Sequence, residues 1–376
     1  MIGNVARNPF PFTAPVGLDD LIDRDDETDE LLRNAQASNN SRLSAARRYG
    51  KTSLLRRVVG EARADGWSAV FVDFFGVLTL ADVAERVERA YAEGLTGQVA
   101  QWFAGLRRML KPSVTLGGGP LPVSGQLNLG PAAAPLLERL ALPRRVYERW
   151  GTRVLVVFDE FQEVLTAQAN ADAVIRSEIQ HHGEAASYIF AGSHLGMMTE
   201  LFTDPRRAFY AQAAAVALPP LPPDSTAEFV ADRFRTTGKD VGDALDGLLA
   251  LSAGHPQRTM LLAAALWDGT PDGGRADPAM LSAAHARVLR DLADEFRTMW
   301  SLLPVTQRRV LSAVASGGRP YARPTNGSRA GGGTRSGLAA LRDRGDLTED
   351  STAPSGWRVV DPLLEAWVRA GRPDGE

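Results

Sequence analysis

At 376 residues the chain is long enough for two or three domains, and its 44% hydrophobic content supports a substantial buried core and excludes the disordered class. The absence of cysteine excludes disulfides, thiolate metal sites and cysteine catalysis, and a formal net charge of -3 means that charge alone does not make the whole molecule a polyanion binder. There is no secretory apolar run between Met1 and Phe12, and the longest apolar stretches, Val154 to Phe158 and Leu261 to Trp267, fall far short of the roughly 18 residues a membrane span needs, so the expectation is a soluble cytoplasmic protein that does not engage a membrane.

Residues 1 to 40 read as an extended arm followed by a helix. Pro9, Pro11 and Pro15 oppose a helix early on. The acids from Asp25 to Glu30 suit a first helical turn, where the dipole favours negative charge. Residues 41 to 220 alternate strand and helix. Ala69 to Asp73, Arg153 to Asp159 and Ser187 to Gly192 are short apolar runs of the kind buried in a parallel sheet, and helical segments fall between them. That order predicts a doubly wound α/β fold. Lys111 to Pro131, rich in Gly and Pro with alternating apolar residues, reads as an inserted β-hairpin or mobile loop. Pro219 to Pro223 ends the sheet domain, and Ser225-Thr226-Ala227-Glu228 is a capping box that would start a new helix. Helical patterns run to about Trp300, and Pro304 reads as a hinge.

The segment Ala45-Ala46-Arg47-Arg48-Tyr49-Gly50-Lys51-Thr52 occupies the frame of a Walker A loop, and Ser53 follows at the start of a helix. The chemistry needs this order: backbone N–H groups wrap the phosphates of ATP, Lys51 reaches the outer two, and the Thr52 hydroxyl binds Mg2+. The frame departs at its first position. Glycine there permits φ > 0, and Ala45 would cost about 1 kcal/mol or more if that angle is required. The apolar run Val154 to Phe158 delivers Asp159 to a strand's carboxyl end, where ligands of open parallel sheets sit. Asp159 is expected to hold Mg2+ and Glu160 to polarise the attacking water. The bland alternative is two solvated acids after a buried strand. None of the five histidines has zinc-ligand spacing, and His181 and His182 would point to opposite sides of a strand.

Arg47 to Leu55 and Phe158-Asp159-Glu160-Phe161-Gln162-Glu163-Val164 resemble the archaeal-type AAA+ P-loop ATPases, relatives of STAND-like and origin-recognition ATPases. So do Ile179 to His182, Phe190 to Ser193 and Phe209-Tyr210. The resemblance covers roughly residues 8 to 370 and implies an AAA+ core, a helical lid and a C-terminal winged helix. It places Leu21-Ile22-Asp23-Arg24 at the motif lining the adenine pocket, with Asp23 in place of a glycine. Ser193 falls at the position that senses the γ-phosphate; a capping serine is the alternative. Gly254-His255-Pro256 matches the lid tripeptide that faces the nucleotide, although a bare tripeptide could equally be a turn. Arg258 would be a lid sensor. Arg206 and Arg207 lie where proteins acting in trans place an arginine finger, against the alternative of a surface pair beside Pro205.

In the last segment, Gln307 to Ala315 reads as an amphipathic helix. Thr334 would cap a second, with Leu338 and Leu341 inward and Arg335, Arg342 and Arg344 outward. Leu347 and Trp357 to Val360 read as the strands of a wing. From Arg308 to Arg344 there are eight arginines against one acid, 8 - 1 = +7, which suggests an anionic partner. In a winged helix such arginines contact duplex DNA, but many winged helices dock onto protein. The expected organisation is a nucleotide-binding core over 1–220, a lid over 221–300 and a winged helix over 301–376. The expected function is ATP hydrolysis controlling that C-terminal domain, DNA-associated or, alternatively, in a signalling or assembly role with a protein partner or self-assembly.

Overall fold

A computed structural model describes residues 7–17, 20–109, 133–320 and 332–371. The insertion expected over Lys111 to Pro131 lies outside the described residues. Five parallel strands, β1 (Ser41–Ser44), β2 (Ser68–Asp73), β3 (Val154–Asp159), β4 (Ala186–Gly192) and β5 (Ala214–Val216), form one sheet in the order β2-β3-β4-β1-β5. Around it wind α1 (Asp25–Gln36), α2 (Lys51–Ala64), α3 (Leu80–Gly94), α4 (Gly97–Met109), α5 (Ala134–Leu140), α6 (Leu142–Trp150), α7 (Val164–Ala167), α8 (Ala171–Ile179) and α9 (Leu195–Thr203).

The period of two along β3 explains why both faces are covered. Val154, Val156 and Phe158 face one core with Tyr188, Phe190 and Val83, whereas Leu155 and Val157 face another with Leu43, Leu54 and Val58. A strand buried on both sides must be apolar throughout, and every residue of β3 and β4 is buried. The doubly wound α/β sheet predicted from sequence is therefore present, with the carboxyl ends of β1, β3 and β4 on one edge.

Beyond the sheet lie α10 (Pro223–Thr236), α11 (Leu245–Ser252), α12 (Pro256–Gly269) and the 25-residue α13 (Pro278–Leu302). The C-terminal segment has α14 (Val305–Ala315), α15 (Gly332–Arg344), the antiparallel pair β6 (Leu347–Glu349) and β7 (Trp357–Val359), and α16 (Pro362–Arg369). One apolar cluster runs through both groups, with Phe296 and Trp300 of α13 against Trp367 of α16 at ring separations of 5.8 and 6.2 Å.

Three local expectations are corrected. Ser225 does not cap α10, because the helix already starts at Pro223, whose fixed φ suits a first helical position; the Ser225 hydroxyl donates to Asp23 Oδ2 at 2.9 Å instead. Thr334 lies inside α15 rather than at its cap. His181 and His182 sit in a turn after α8, not in a strand, and His182 Nδ1 meets the buried Tyr188 hydroxyl at 2.6 Å.

Candidate functional site

The site grows from the turn between β1 and α2. Gly50 ends the turn at φ 83 and serves as the N-cap of α2, so the helix N-terminus opens onto the loop. Ala45 is buried and is not among the residues with positive φ; the left-handed conformation falls on Arg48, at φ 64. The strain anticipated at Ala45 is therefore absent from that position. Arg48 reaches across the cleft to Glu295 of α13 at 2.8 Å.

Lys51 opens α2 with its side chain only 6% exposed, its Nζ 3.1 Å from Glu160 Oε1 and 3.5 Å from Asp159 Oδ1. Thr52 Oγ1 donates to Asp159 Oδ2 at 2.8 Å. Glu160 is left-handed at φ 51, which turns its side chain back toward the loop. Its Oε2 accepts from Gln162 Nε2 at 2.6 Å, from Ser193 Oγ at 2.7 Å and from the Ser193 amide at 3.2 Å. Burial pushes the Glu160 carboxyl up, but Lys51, Gln162 and Ser193 outweigh it and hold it below the ordinary carboxylate value. The group is thus a carboxylate at neutral pH, the form a general base needs.

Of these residues Lys51, Thr52, Glu160 and Ser193 line a cavity of about 740 Å3. Its other walls include the arm over 11–16, Leu21, Ile22 and Leu221, Pro256, Met260 and Leu261 of α12, and Val288, Asp291, Leu292 and Glu295 of α13. An apolar slot beside a polar loop matches a nucleobase and its phosphates. Ser53 Oγ accepts from the Val16 amide at 3.0 Å and so ties the arm to the loop. Arg24 also borders the cavity, but its guanidinium is committed to Glu27 and the Pro219 carbonyl, both at 3.0 Å. For a divalent cation the donor set is one hydroxyl and one carboxylate, Thr52 and Asp159. No cluster of three or more His, Cys, Asp or Glu suited to a metal occurs among the described residues. That sparse set fits Mg2+, which keeps waters and substrate phosphates as its other ligands.

The remaining predicted residues divide. Tyr49, buried, stacks edge-on against His255 at 5.2 Å, and Pro256 approaches Gly50. His255 caps α12 through Nδ1, which accepts from the Arg258 amide at 3.3 Å. Arg258 points away from the cavity: its guanidinium is buried and forks onto Asp361, the N-cap of α16, at 2.5 to 3.1 Å. The lid-sensor expectation for Arg258 is corrected on that geometry. Arg207 is tied to Glu200 and to the Ala169 carbonyl, whereas Arg206 is 89% exposed and held by its neighbour Asp204 at 2.7 Å. Arg335, Arg342 and Arg344 are all exposed on α15, with Arg342 paired to Asp343 at 3.1 Å and Arg344 to Asp346 at 2.9 Å. Sequence reasoning missed Gln162 and Glu295 as partners of the site. Gln162 stood in a quoted motif without a role, and Glu295 sits more than two hundred residues away from Arg48, its partner.

The fold and loop together define the class: a doubly wound α/β protein with a Walker A-like loop at the carboxyl edge of its sheet. The chain superposes on the Walker-type ATPase of Pyrococcus abyssi with a TM-score of 0.67 at 18% identity, over 96% of this chain and 99% of that one. It superposes on the ORC2 protein of Aeropyrum pernix, solved in ADPNP-ADP complexes, with a TM-score of 0.53 at 16% identity, over 97% and 98%. At these identities the likeness is one of fold, and it agrees with the archaeal-type, ORC-like architecture that the sequence resemblance implied. No family model and no curated protein matches the sequence. Among the described residues no helix is long and apolar enough to cross a membrane.

Proposed function

We propose that this protein binds and hydrolyses ATP with Mg2+, and that its nucleotide state controls the engagement of the C-terminal segment with duplex DNA. The observation that carries the reading is the convergence of Lys51, Thr52, Asp159, Glu160 and Ser193 at the carboxyl ends of three adjacent strands. The backbone from Ala45 to Lys51 would cradle the phosphates, and Lys51 would exchange its carboxylate partners for the outer two. Thr52 and Asp159 would hold Mg2+, which supplies positive charge to the phosphate oxygens when bound. Glu160 would take the proton of the attacking water, and Ser193 would sense the γ-phosphate. Arg206, exposed beside Asp204, would act on a neighbouring subunit in an assembly.

Control of the C-terminal segment rests on its contacts with the loop. Gly345 approaches Ala46, α15 packs on α9, and Val360 joins the cluster that holds Tyr49. We read α15 with the β6–β7 pair as a winged helix whose exposed arginines meet phosphate. A protein partner is the second reading, favoured by the pairing of Arg342 and Arg344 with their own acids, which leaves less free charge for DNA.

Lys51→Ala is expected to abolish tight Mg-ATP binding in a calorimetric titration, and Glu160→Gln to retain ATP while losing turnover. Wild-type affinity in the first variant would remove the site assignment.

A further inference from the structure

The two oxygens of the Glu160 carboxylate are held differently. Among the described residues Oε1 meets Lys51 Nζ alone, at 3.1 Å, whereas Oε2 is held by Gln162 and Ser193. Lys51 and Ser193 are also the two groups that the proposed reaction draws toward the phosphates. Gln162 has no such second task. It is 2% exposed, it lies outside the lining of the cavity, and its amide is 3.5 Å from Glu163 Oε1 as well as 2.6 Å from Glu160. It lies tight beneath the end of β4, where a Cβ on Gly192 would come within 2.3 Å of Gln162 Oε1. A side chain at 192 would have to displace the Gln162 amide and, at 2.5 Å, the Met198 thioether.

Resting on the hydrolytic reading above, we infer that Gln162 is a positioning residue: it anchors Oε2 of Glu160 from below, so that Oε1 alone faces the attacking water once Lys51 has moved to the phosphates. The water then gives its proton to Oε1 as its oxygen bonds the γ-phosphorus and the bond to the departing ADP oxygen breaks. Glu160 needs such an anchor because its backbone is left-handed, a conformation that for a non-glycine residue persists only where the surroundings over-determine it. Without the amide the carboxylate keeps its charge and loses its aim, and a base misplaced by an ångström loses much of its effectiveness.

The test uses the full chain and steady-state ATP hydrolysis. Gln162→Met keeps the length of the side chain and removes the donor; Gln162→Leu removes it with a different shape. Both are expected to lower kcat by roughly tenfold to a hundredfold, the scale of a lost hydrogen bond to a charged group, with KM for Mg-ATP and affinity for ADP unchanged. In a Glu160→Gln background Gln162→Met is expected to change the residual turnover no further, because the two residues act as one unit. An unchanged kcat in Gln162→Met overturns the inference. So does an equal additional loss in the Glu160→Gln background, or failure of both single variants to fold, since either shows a role apart from Glu160. Wild-type protein that binds Mg-ATP without turnover removes the hydrolytic reading and this inference with it. Normal wild-type turnover beside an unaffected Gln162→Met removes the inference alone.

Discussion

Two substitutions separate conformation from contact at the phosphate loop. Gly50 sits at φ 83, and a Cβ added there would meet Pro256 at an ordinary 3.9 Å. The obstacle to Gly50→Ala is therefore backbone strain, about 1 kcal/mol or more, and the expected result is weaker nucleotide binding as the α2 N-terminus shifts. Ala45 lies outside the positive-φ region, so glycine would relieve nothing. Ala45→Gly is expected to leave ATP affinity unimproved and to cost about 0.4–1 kcal/mol of stability through added freedom in the unfolded chain. A titration paired with a thermal melt checks both. The strain that the motif frame suggested at Ala45 is carried instead by Arg48. Its bridge to Glu295 joins two half-exposed side chains, and such a pair contributes only about 0–1 kcal/mol. The conformation of Arg48 is therefore imposed by the turn around it rather than by that contact.

Among the elements, those with a strong local signal were legible in the sequence. The buried runs of β2, β3 and β4, the acidic first turn of α1 and the apolar pattern of α14 all lie within a residue or two of where periodicity puts them. β1 and β5 were not legible. Ser41–Ser44 carries one large apolar residue in four, and Ala214–Val216 is three residues long. They are strands because β4 presents a parallel edge to β1, and β1 to β5, which is a tertiary fact. The site was legible where the loop and the Asp159-Glu160 pair follow a phosphate-binding pattern. It was illegible where partners are distant in sequence, as with Arg258 and Asp361, or buried by a close approach, as with Gln162 beneath Gly192. The basic C-terminal segment shows the same limit at element scale. A count of +7 treats its arginines alike, yet Arg308 spends its guanidinium on the carbonyls of Leu303 and Ser301, and Arg342 and Arg344 have acidic neighbours. Arg335 makes no ion pair among the described residues. If α15 meets duplex DNA, Arg335→Ala is expected to reduce the slope of log K against log salt by about one unit, with smaller changes for Arg342→Ala and Arg344→Ala. Wild-type protein that ignores DNA at low salt, with and without ATP, would leave the protein-docking reading.

At the scale of the whole molecule, α12 and the C-terminal segment are joined behind the loop that precedes α2 by His255, Arg258 and Asp361. The Arg258 guanidinium is buried; burial pushes the Asp361 carboxyl up, but the charge and hydrogen bonds of Arg258, with the Leu364 amide, outweigh it and hold the carboxyl below the ordinary range. Removing the cation by Arg258→Met would strand the carboxylate, a loss of about 3–5 kcal/mol by the usual scale for a broken buried pair. Because Phe296, Trp300 and Trp367 share one core, that loss is expected to lower the melting of α10–α13 and the C-terminal segment together. His255 adds a pH dependence. Burial pushes its pKa down to about 4, with Asp361 opposing and Arg258 and Arg48 assisting. The unfolded chain takes up a proton near the ordinary value of 6.5 while the folded chain does not, so stability is full above that pH and falls as the pH drops toward about 4. The depth of that fall is about 3 kcal/mol at 1.36 kcal/mol per pKa unit. Asp361 does not contribute in this window, since a carboxyl held below its ordinary value loses its contribution only at lower pH. Melting temperatures of wild type and His255→Gln at pH 7 and pH 5 isolate the histidine: the wild type is expected to lose stability between the two, and the variant to lose markedly less. Equal losses in both proteins would place the titrating group elsewhere.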